Sequence, residues 1–133
     1  MRARRDVSKI PPDLKYSESH EWIKVEGDTA TIGITDFAQH SLTDVVYVEL
    51  PKTGSRVAAG KTFGVVESVK SVSDLFSPLT GTIVAVNDGL AKTPEKINDD
   101  PYGAGWMIKV RLEKKDEVSK LLDAAQYQKT VGE

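Results

Sequence analysis

The sequence contains no cysteine. Disulfides, thiolate metal sites and cysteine nucleophiles are thereby excluded, and any redox sulfur has to be brought in from elsewhere. Nor does any apolar run approach the roughly 18 residues needed to span a bilayer. The start, Met1-Arg-Ala-Arg-Arg-Asp-Val-Ser8, lacks the apolar stretch of a secretory signal. A cytoplasmic location is expected, or a mitochondrial one if the source is eukaryotic. Aromatic residues are few, two Trp, three Phe and four Tyr, so the core is expected to be built from Val, Ile, Leu and Ala. An excess of one charge is also missing. The formal net charge of -2 is spread along the chain and offers no basic field to a nucleic acid or an anionic membrane. Arg2, Arg4 and Arg5 read as a solvated terminus, because Asp6 and Pro11-Pro12 follow closely.

What is present suits one domain. The expected organisation is a flexible segment over residues 1–13 and a single domain over 14–133, ending in a helix from about residue 115. From Glu21 onward the dominant period is two, the pattern of sheets with one buried face. In Trp106-Met-Ile-Lys-Val-Arg-Leu112, Trp106, Ile108, Val110 and Leu112 share one face, opposite Lys109 and Arg111. In Val45-Val-Tyr-Val-Glu-Leu50, Val46, Val48 and Leu50 oppose Val45, Tyr47 and Glu49, and Pro51 ends the strand. The runs Glu21–Val25 and Thr29–Gly33 flank the short connection Glu26-Gly27-Asp28 and are expected to pair antiparallel. Thr35 caps a short connector helix running to Leu42. Asp116 is read as the cap of the last helix, whose stripe is Val118, Leu121, Leu122 and Ala125. Two segments, Pro51-Lys-Thr-Gly-Ser-Arg-Val57 and Pro78-Leu-Thr-Gly-Thr-Ile-Val84, share the pattern P-x-T-G-x-x-V.

Lys70 lies between these two copies, in Val65-Val-Glu-Ser-Val-Lys70-Ser-Val-Ser-Asp74. Strand-like residues rise to Val69 and resume at Val72, which places Lys70 and Ser71 at a hairpin turn with the lysine in solvent. On geometry alone Lys70 is one of 18 Lys and Arg residues. Other chemistries find little support. His20-Glu21 lacks a second His at the spacing of a zinc helix, and no G-x-S-x-G elbow is present. Trp22 and Trp106 read as packing residues rather than substrate platforms.

From Leu14 to about Arg111 the chain resembles the glycine cleavage H protein family. The matching segments are Leu14-Lys-Tyr16, Ser19-His-Glu-Trp22, Ile32-Gly-Ile-Thr-Asp36, Val66-Glu-Ser-Val-Lys70, Ser73-Asp74, Pro94-Glu95 and Asp100-Pro-Tyr-Gly-Ala-Gly-Trp106, in family order. Two departures are Thr43, where the family commonly has glycine, and Lys96, where it has an aliphatic residue. A positive φ at position 43 would strain a threonine.

The resemblance implies a mostly β fold of the lipoyl/biotinyl type, a barrel-sandwich of two small antiparallel sheets with a short connector helix and a C-terminal helix. It implies lipoic acid in amide linkage to Lys70, on an arm on the order of 10 Å. Glu67, Ser68 and Val69 would be read by the lipoylating enzyme, and Val69 and Ser71 in place of the Met-Lys-Met of biotin acceptors favour lipoyl. The chain would then be a non-catalytic shuttle with three further partners. It would carry an aminomethyl group from a pyridoxal-phosphate glycine decarboxylase to a tetrahydrofolate-dependent aminomethyltransferase, then present dihydrolipoyl to an FAD dihydrolipoyl dehydrogenase. A second role, relay of lipoyl or octanoyl groups to 2-oxoacid dehydrogenase subunits, would use the same lysine. By analogy with the family, whose loaded arm folds back on the protein, Ser19, Glu21 and Asp74 are the expected pocket for the ammonium of the cargo.

Overall fold

The structure is a computed structural model, and it describes residues 8–132. Among these residues nine strands form two antiparallel sheets. The strands are β1 (Lys15–Tyr16), β2 (Glu21–Glu26), β3 (Thr29–Ile34), β4 (Val45–Glu49), β5 (Arg56–Val57), β6 (Thr62–Ser68), β7 (Val72–Phe76), β8 (Gly81–Val86) and β9 (Ile108–Leu112). One sheet has the order β1-β2-β3-β9-β8-β5 and the other β4-β6-β7. The helices are α1 (Asp36–Leu42), α2 (Lys96–Asp99) and α3 (Ala124–Val131). The β2–β3 hairpin forms as the alternation predicts, Ile23 opposite Ile32 and Val25 opposite Ala30.

The two P-x-T-G segments meet in space. Their strands are β5 and β8, which pair with Arg56 opposite Thr82 and Val57 opposite Gly81. Gly81 sits so close to β9 that a Cβ there would run into the Arg111 carbonyl, so the second copy needs its glycine for sheet pairing. The first copy needs Gly54 for its turn, at φ 95°.

The main core lies between the sheets and is aliphatic apart from Phe63, with Ile23, Ile32, Leu79, Ile83, Leu90, Ile97, Ile108 and Val110 inaccessible or nearly so. The aromatics concentrate in a second cluster of Leu14, Tyr16, Trp22 and Tyr127, which an aliphatic reading of the composition missed. There Trp22 donates its indole N–H to the Pro101 carbonyl at 2.8 Å, as a buried tryptophan must do with some acceptor.

Four expectations need correction. A bulge in β4 between Val45 and Tyr47 interrupts the alternation, so Val45 and Val48 point inward and Val46 is 53% exposed. Trp106 precedes β9 and lies under the Lys109 ammonium, 5.3 Å from its ring, while Met107 enters the core. The last helix begins eight residues after Asp116. Lys115–Lys120 is a 3₁₀ segment, and Leu122 exchanges two backbone hydrogen bonds of 2.8 Å with Tyr16, which holds it extended. Asp123 then caps α3 through a capping box with Gln126, and its buried face is Ala124, Tyr127 and Val131, with Ala125 exposed. Finally, the flexible segment proposed for residues 1–13 falls partly outside the described residues, but from Ser8 the chain is tied down. Lys9 donates its N–H to Asp36 at 2.8 Å, and the Tyr102 and Tyr16 hydroxyls donate to the Lys9 and Pro11 carbonyls at 2.5 Å.

Candidate functional site

β6 and β7 pair antiparallel, and Val69, Lys70 and Ser71 form the connection between them. Ser68 shapes this turn. Its N–H donates to the Ser71 carbonyl at 2.8 Å, and its hydroxyl oxygen receives the N–H groups of Lys70 (3.2 Å) and Ser71 (3.0 Å). A serine side chain that accepts the N–H groups two and three residues on stabilises a tight turn by mimicking a backbone acceptor. The Val69 N–H donates to the Asp44 carbonyl at 3.0 Å, anchoring the tip to the chain between α1 and β4. Lys70 is exposed at the apex, between Val69 and Val72, themselves 69% and 66% exposed. Glu67 lies half-buried on the central strand of the small sheet, in register between Tyr47 and Val72. Its neighbours on both sides are therefore a ring and an isopropyl group open to solvent.

The Lys70 ammonium donates to the carbonyl of Ser41 at 3.2 Å. Ser41 also lines a cleft of about 250 Å³ between α1, the start of β2 and the edge strand β7. The cleft brings together the three residues singled out for an arm pocket, Ser19, Glu21 and Asp74. Its other walls are mostly apolar, among them Ile34, Phe37, Leu42 and Val66. This combination, a greasy trough with two carboxylates, accommodates a short apolar chain that ends in a cation.

Glu21 is not the surface acid that its place at a strand start suggests; it is 2% exposed. Its carboxylate accepts the hydroxyls of Ser17 at 2.5 Å and Ser19 at 2.6 Å. Burial pushes its pKa up, and the hydrogen bonds from the two serines and the Phe76 backbone pull against that rise. Asp74 is exposed on β7, where the edge strand leaves it in solvent at the cleft margin.

Sequence reasoning passed over the groups behind the cleft. His20 lines it with a left-handed backbone, φ 73°, and its ring packs against Phe37 at 4.9 Å. Burial lowers its pKa, which favours the neutral imidazole. Its Nδ1 lies 2.8 Å from the hydroxyl of Tyr127, which is also 2.7 Å from Thr35 Oγ1. A contact between residues 107 positions apart carries no local signal in the sequence. Among the described residues no cluster of three metal-ligating side chains occurs, and no helix is long and apolar enough to cross a membrane.

Comparison with known proteins gives one consistent result. The family model described as glycine cleavage H-protein matches residues 14–133. A glycine cleavage system H protein of Carboxydothermus hydrogenoformans is 52% identical over 127 residues, covering 96% of this chain and 98% of that protein. One from Myxococcus xanthus is 56% identical over 121 residues, covering 91% and 94%. The crystal structure of a glycine cleavage system H protein from Mycobacterium marinum superposes with a TM-score of 0.86 at 42% identity, covering 93% of this chain and all of that one.

Proposed function

The chain belongs to the glycine cleavage H-protein family, and from that premise we propose that Lys70 is its lipoyl attachment site and that the neighbouring cleft shelters the loaded arm. The family role is that of a lipoyl carrier, a component of the glycine cleavage system and not a catalyst in its own right. The relatives carry the name of that system, so the relay to 2-oxoacid dehydrogenases is not favoured.

The observation that carries the assignment of Lys70 is its position. It stands exposed at the apex of a hairpin whose turn is locked by Ser68 and Asp44, within reach of the rim of an acid-lined cleft. A rigid tip presents the amine to a lipoylating enzyme at low ordering cost. Glu67, Ser68 and Val69 are the candidates for its recognition. Glu67 and Val69 offer a carboxylate and an exposed apolar side chain, while Ser68 acts by fixing the turn.

When bound, lipoic acid supplies a dithiolane that receives the aminomethyl cargo and is later reoxidised. The chain's own part is to tether, orient and shield. Tethering raises the local concentration of cargo at each partner. We assign as partners the pyridoxal-phosphate decarboxylase, the tetrahydrofolate-dependent aminomethyltransferase, the FAD dehydrogenase and the lipoylating enzyme. In the cleft, Glu21 and Asp74 face an incoming ammonium with negative charge, Ser19 orients Glu21, and the apolar walls take the hydrocarbon of the arm. Water exclusion there strengthens the ion pair and slows loss of the cargo by hydrolysis.

Intact mass after expression in a lipoylating host tests the assignment. The wild type should gain one lipoyl group and Lys70→Arg none, and peptide mapping of lipoate to another lysine would overturn it.

A further inference from the structure

Asn98 stands on the short helix α2 beside Ile97, which is completely buried and fixes that helix in the main core. Its half-buried carboxamide reaches the end of α1 and the start of β4, 55 and 53 residues earlier in the chain. There Oδ1 accepts the Val45 N–H at 2.8 Å, while Nδ2 donates to the Thr43 carbonyl at 2.8 Å and to Gln39 Oε1 at 3.0 Å. The partners dictate which way the amide points. A backbone N–H only donates and a backbone carbonyl only accepts, so Val45 requires the oxygen on its side and Thr43 the nitrogen on the other. Aspartate would set a second oxygen against two acceptors, and leucine would satisfy neither group.

The Val45 N–H belongs to the same peptide group as the Asp44 carbonyl, and that carbonyl accepts the Val69 N–H at 3.0 Å. The peptide is trans, so its N–H and C=O point in opposite directions, and Asn98 and Val69 grip it from its two sides. A peptide that donates through its N–H becomes a better acceptor at its oxygen, so each bond strengthens the other. The chain of bonds from Asn98 through this one peptide ends at Val69, the residue before Lys70.

The gripped segment is exposed and needs an outside hold. Thr43 has φ 64° and ψ −152°, and strain of this kind in a branched residue persists only where the surroundings over-determine it. The hold is itself anchored. Gln39, which is buried, donates from Nε2 to Asp36 Oδ1 at 2.8 Å, and Asp36 Oδ2 accepts the Lys9 N–H at 2.8 Å. A relay of hydrogen bonds therefore runs from Lys9 through Asp36, Gln39 and Asn98 to the Asp44–Val45 peptide and the hairpin tip. The last turn of α1, held by the same relay, also offers the Ser41 carbonyl to the Lys70 ammonium.

We propose that Asn98 is a positioning residue for the modified lysine: by holding the Asp44–Val45 peptide it fixes the hairpin tip, and with it the root of the arm, against the end of α1 at the cleft rim. The inference rests on the assignment of Lys70 as the attachment site. A tip that is already ordered costs a lipoylating enzyme little on docking, whereas a loose one has to be ordered at the moment of binding. The amine that is acylated stays the same, so loss of the clamp acts on KM and not on kcat.

The test uses the full chain without lipoate, labelled with ¹⁵N and ¹³C, and reads scalar couplings across hydrogen bonds by NMR. The wild type should show coupling from the Val45 nitrogen to the Asn98 side-chain carbonyl carbon and from the Val69 nitrogen to the Asp44 carbonyl carbon. In Asn98→Ala the Val69–Asp44 coupling should be lost, while the coupling from Ser68 to Ser71 inside the turn persists. The KM of a lipoylating enzyme for this variant should rise several-fold, with kcat within about twofold of wild type. A merely structural role would lower the melting temperature and leave both the Val69 coupling and KM as they were, which overturns the proposal. So does a raised KM with the Val69 coupling intact, because Asn98 would then touch the enzyme directly. If Asn98→Ala does not fold, the wild-type couplings decide: both present support the clamp, and the absence of either overturns it. Peptide mapping of the lipoylated products separates the two layers. Lipoate on Lys70 with an unchanged KM in Asn98→Ala removes the inference alone, whereas lipoate on another lysine brings down the assignment of Lys70 and the inference with it.

Discussion

The Lys70 ammonium and the Ser41 carbonyl, 3.2 Å apart, join the hairpin tip to the last turn of α1 at the cleft rim. The contact is exposed and places a cation at the carbonyl end of a helix, where it is worth a few tenths of a kcal/mol to about 1 kcal/mol. Acylation of Lys70 removes that charge. Lys70→Arg keeps the charge and loses the amine, so its unfolding free energy should lie within about 0.5 kcal/mol of wild type, as at other surface sites. Urea denaturation checks the stability, and loss of glycine-cleavage activity in the reconstituted system checks the function. A folded variant with full activity would refute the role of Lys70.

Thr43 ends α1 with φ 64° and ψ −152°. That region is nearly restricted to glycine, and a branched residue there costs about 1–3 kcal/mol. Partial compensation comes from the Thr43 hydroxyl, which donates to the Leu42 carbonyl, and from the Thr43 N–H, which donates to the Gln39 carbonyl at 3.1 Å. Thr43→Gly releases the strain, at an entropic cost in the unfolded chain of about 0.4–1 kcal/mol. A net stabilisation of about 1 kcal/mol is expected, and a destabilised variant in thermal or urea unfolding would contradict it.

Ile108 and Val46 test the two face assignments. Ile108 is inaccessible and stands opposite Ile32 on one side and Val86 on the other. Ile108→Ala should cost about 2–5 kcal/mol, the usual range for a buried aliphatic truncation. Val46 is on the outer side of the bulge, so Val46→Ala should cost less than about 0.5 kcal/mol. A large cost for Val46→Ala would mean that β4 keeps strict alternation after all, and a small one for Ile108→Ala that the inward face of β9 is misassigned.

Those two residues also mark how far the sequence is readable. Ile108 sits in a strand whose alternation is uninterrupted, so period alone places it. Val46 sits one residue into a strand with a bulge, and a bulge changes which side chains share a face without changing their types. The C-terminal stripe failed for a related reason. Val118, Leu121 and Leu122 have helical spacing, but the backbone pairing of Leu122 with Tyr16 wins over helix continuation, and that partner lies far away in sequence. At the site, the Lys70 turn was legible because its chemistry is local. The burial of Glu21 and the Tyr127–His20 contact were not, since both arise from elements that meet only in the fold.

Glu21 leads to a prediction about pH. Its pKa in the folded protein lies above the ordinary value of 4.5, because burial penalises the carboxylate more than Ser17, Ser19 and Phe76 favour it. The folded state therefore binds this proton more readily than the unfolded chain does. As pH rises from 4.5 through the raised value the unfolded state is favoured, and the full penalty is present above that window. Glu21→Gln cannot ionise, yet it keeps an acceptor oxygen for the serine hydroxyls. The stability of the variant relative to wild type should increase across that window, with a slope no steeper than about 1.4 kcal/mol per pH unit for one proton, and level off above it. The lowered pKa of His20 gives the opposite slope just below its ordinary value of 6.5, but it is common to both proteins and largely cancels in the difference. Urea unfolding of both proteins between pH 4 and 8 reads the slope directly. A flat difference, or one that falls as pH rises, would show that the Glu21 carboxylate is as well solvated by its hydrogen bonds as by water, and the strained, charge-bearing pocket inferred from it would lose its energetic signature.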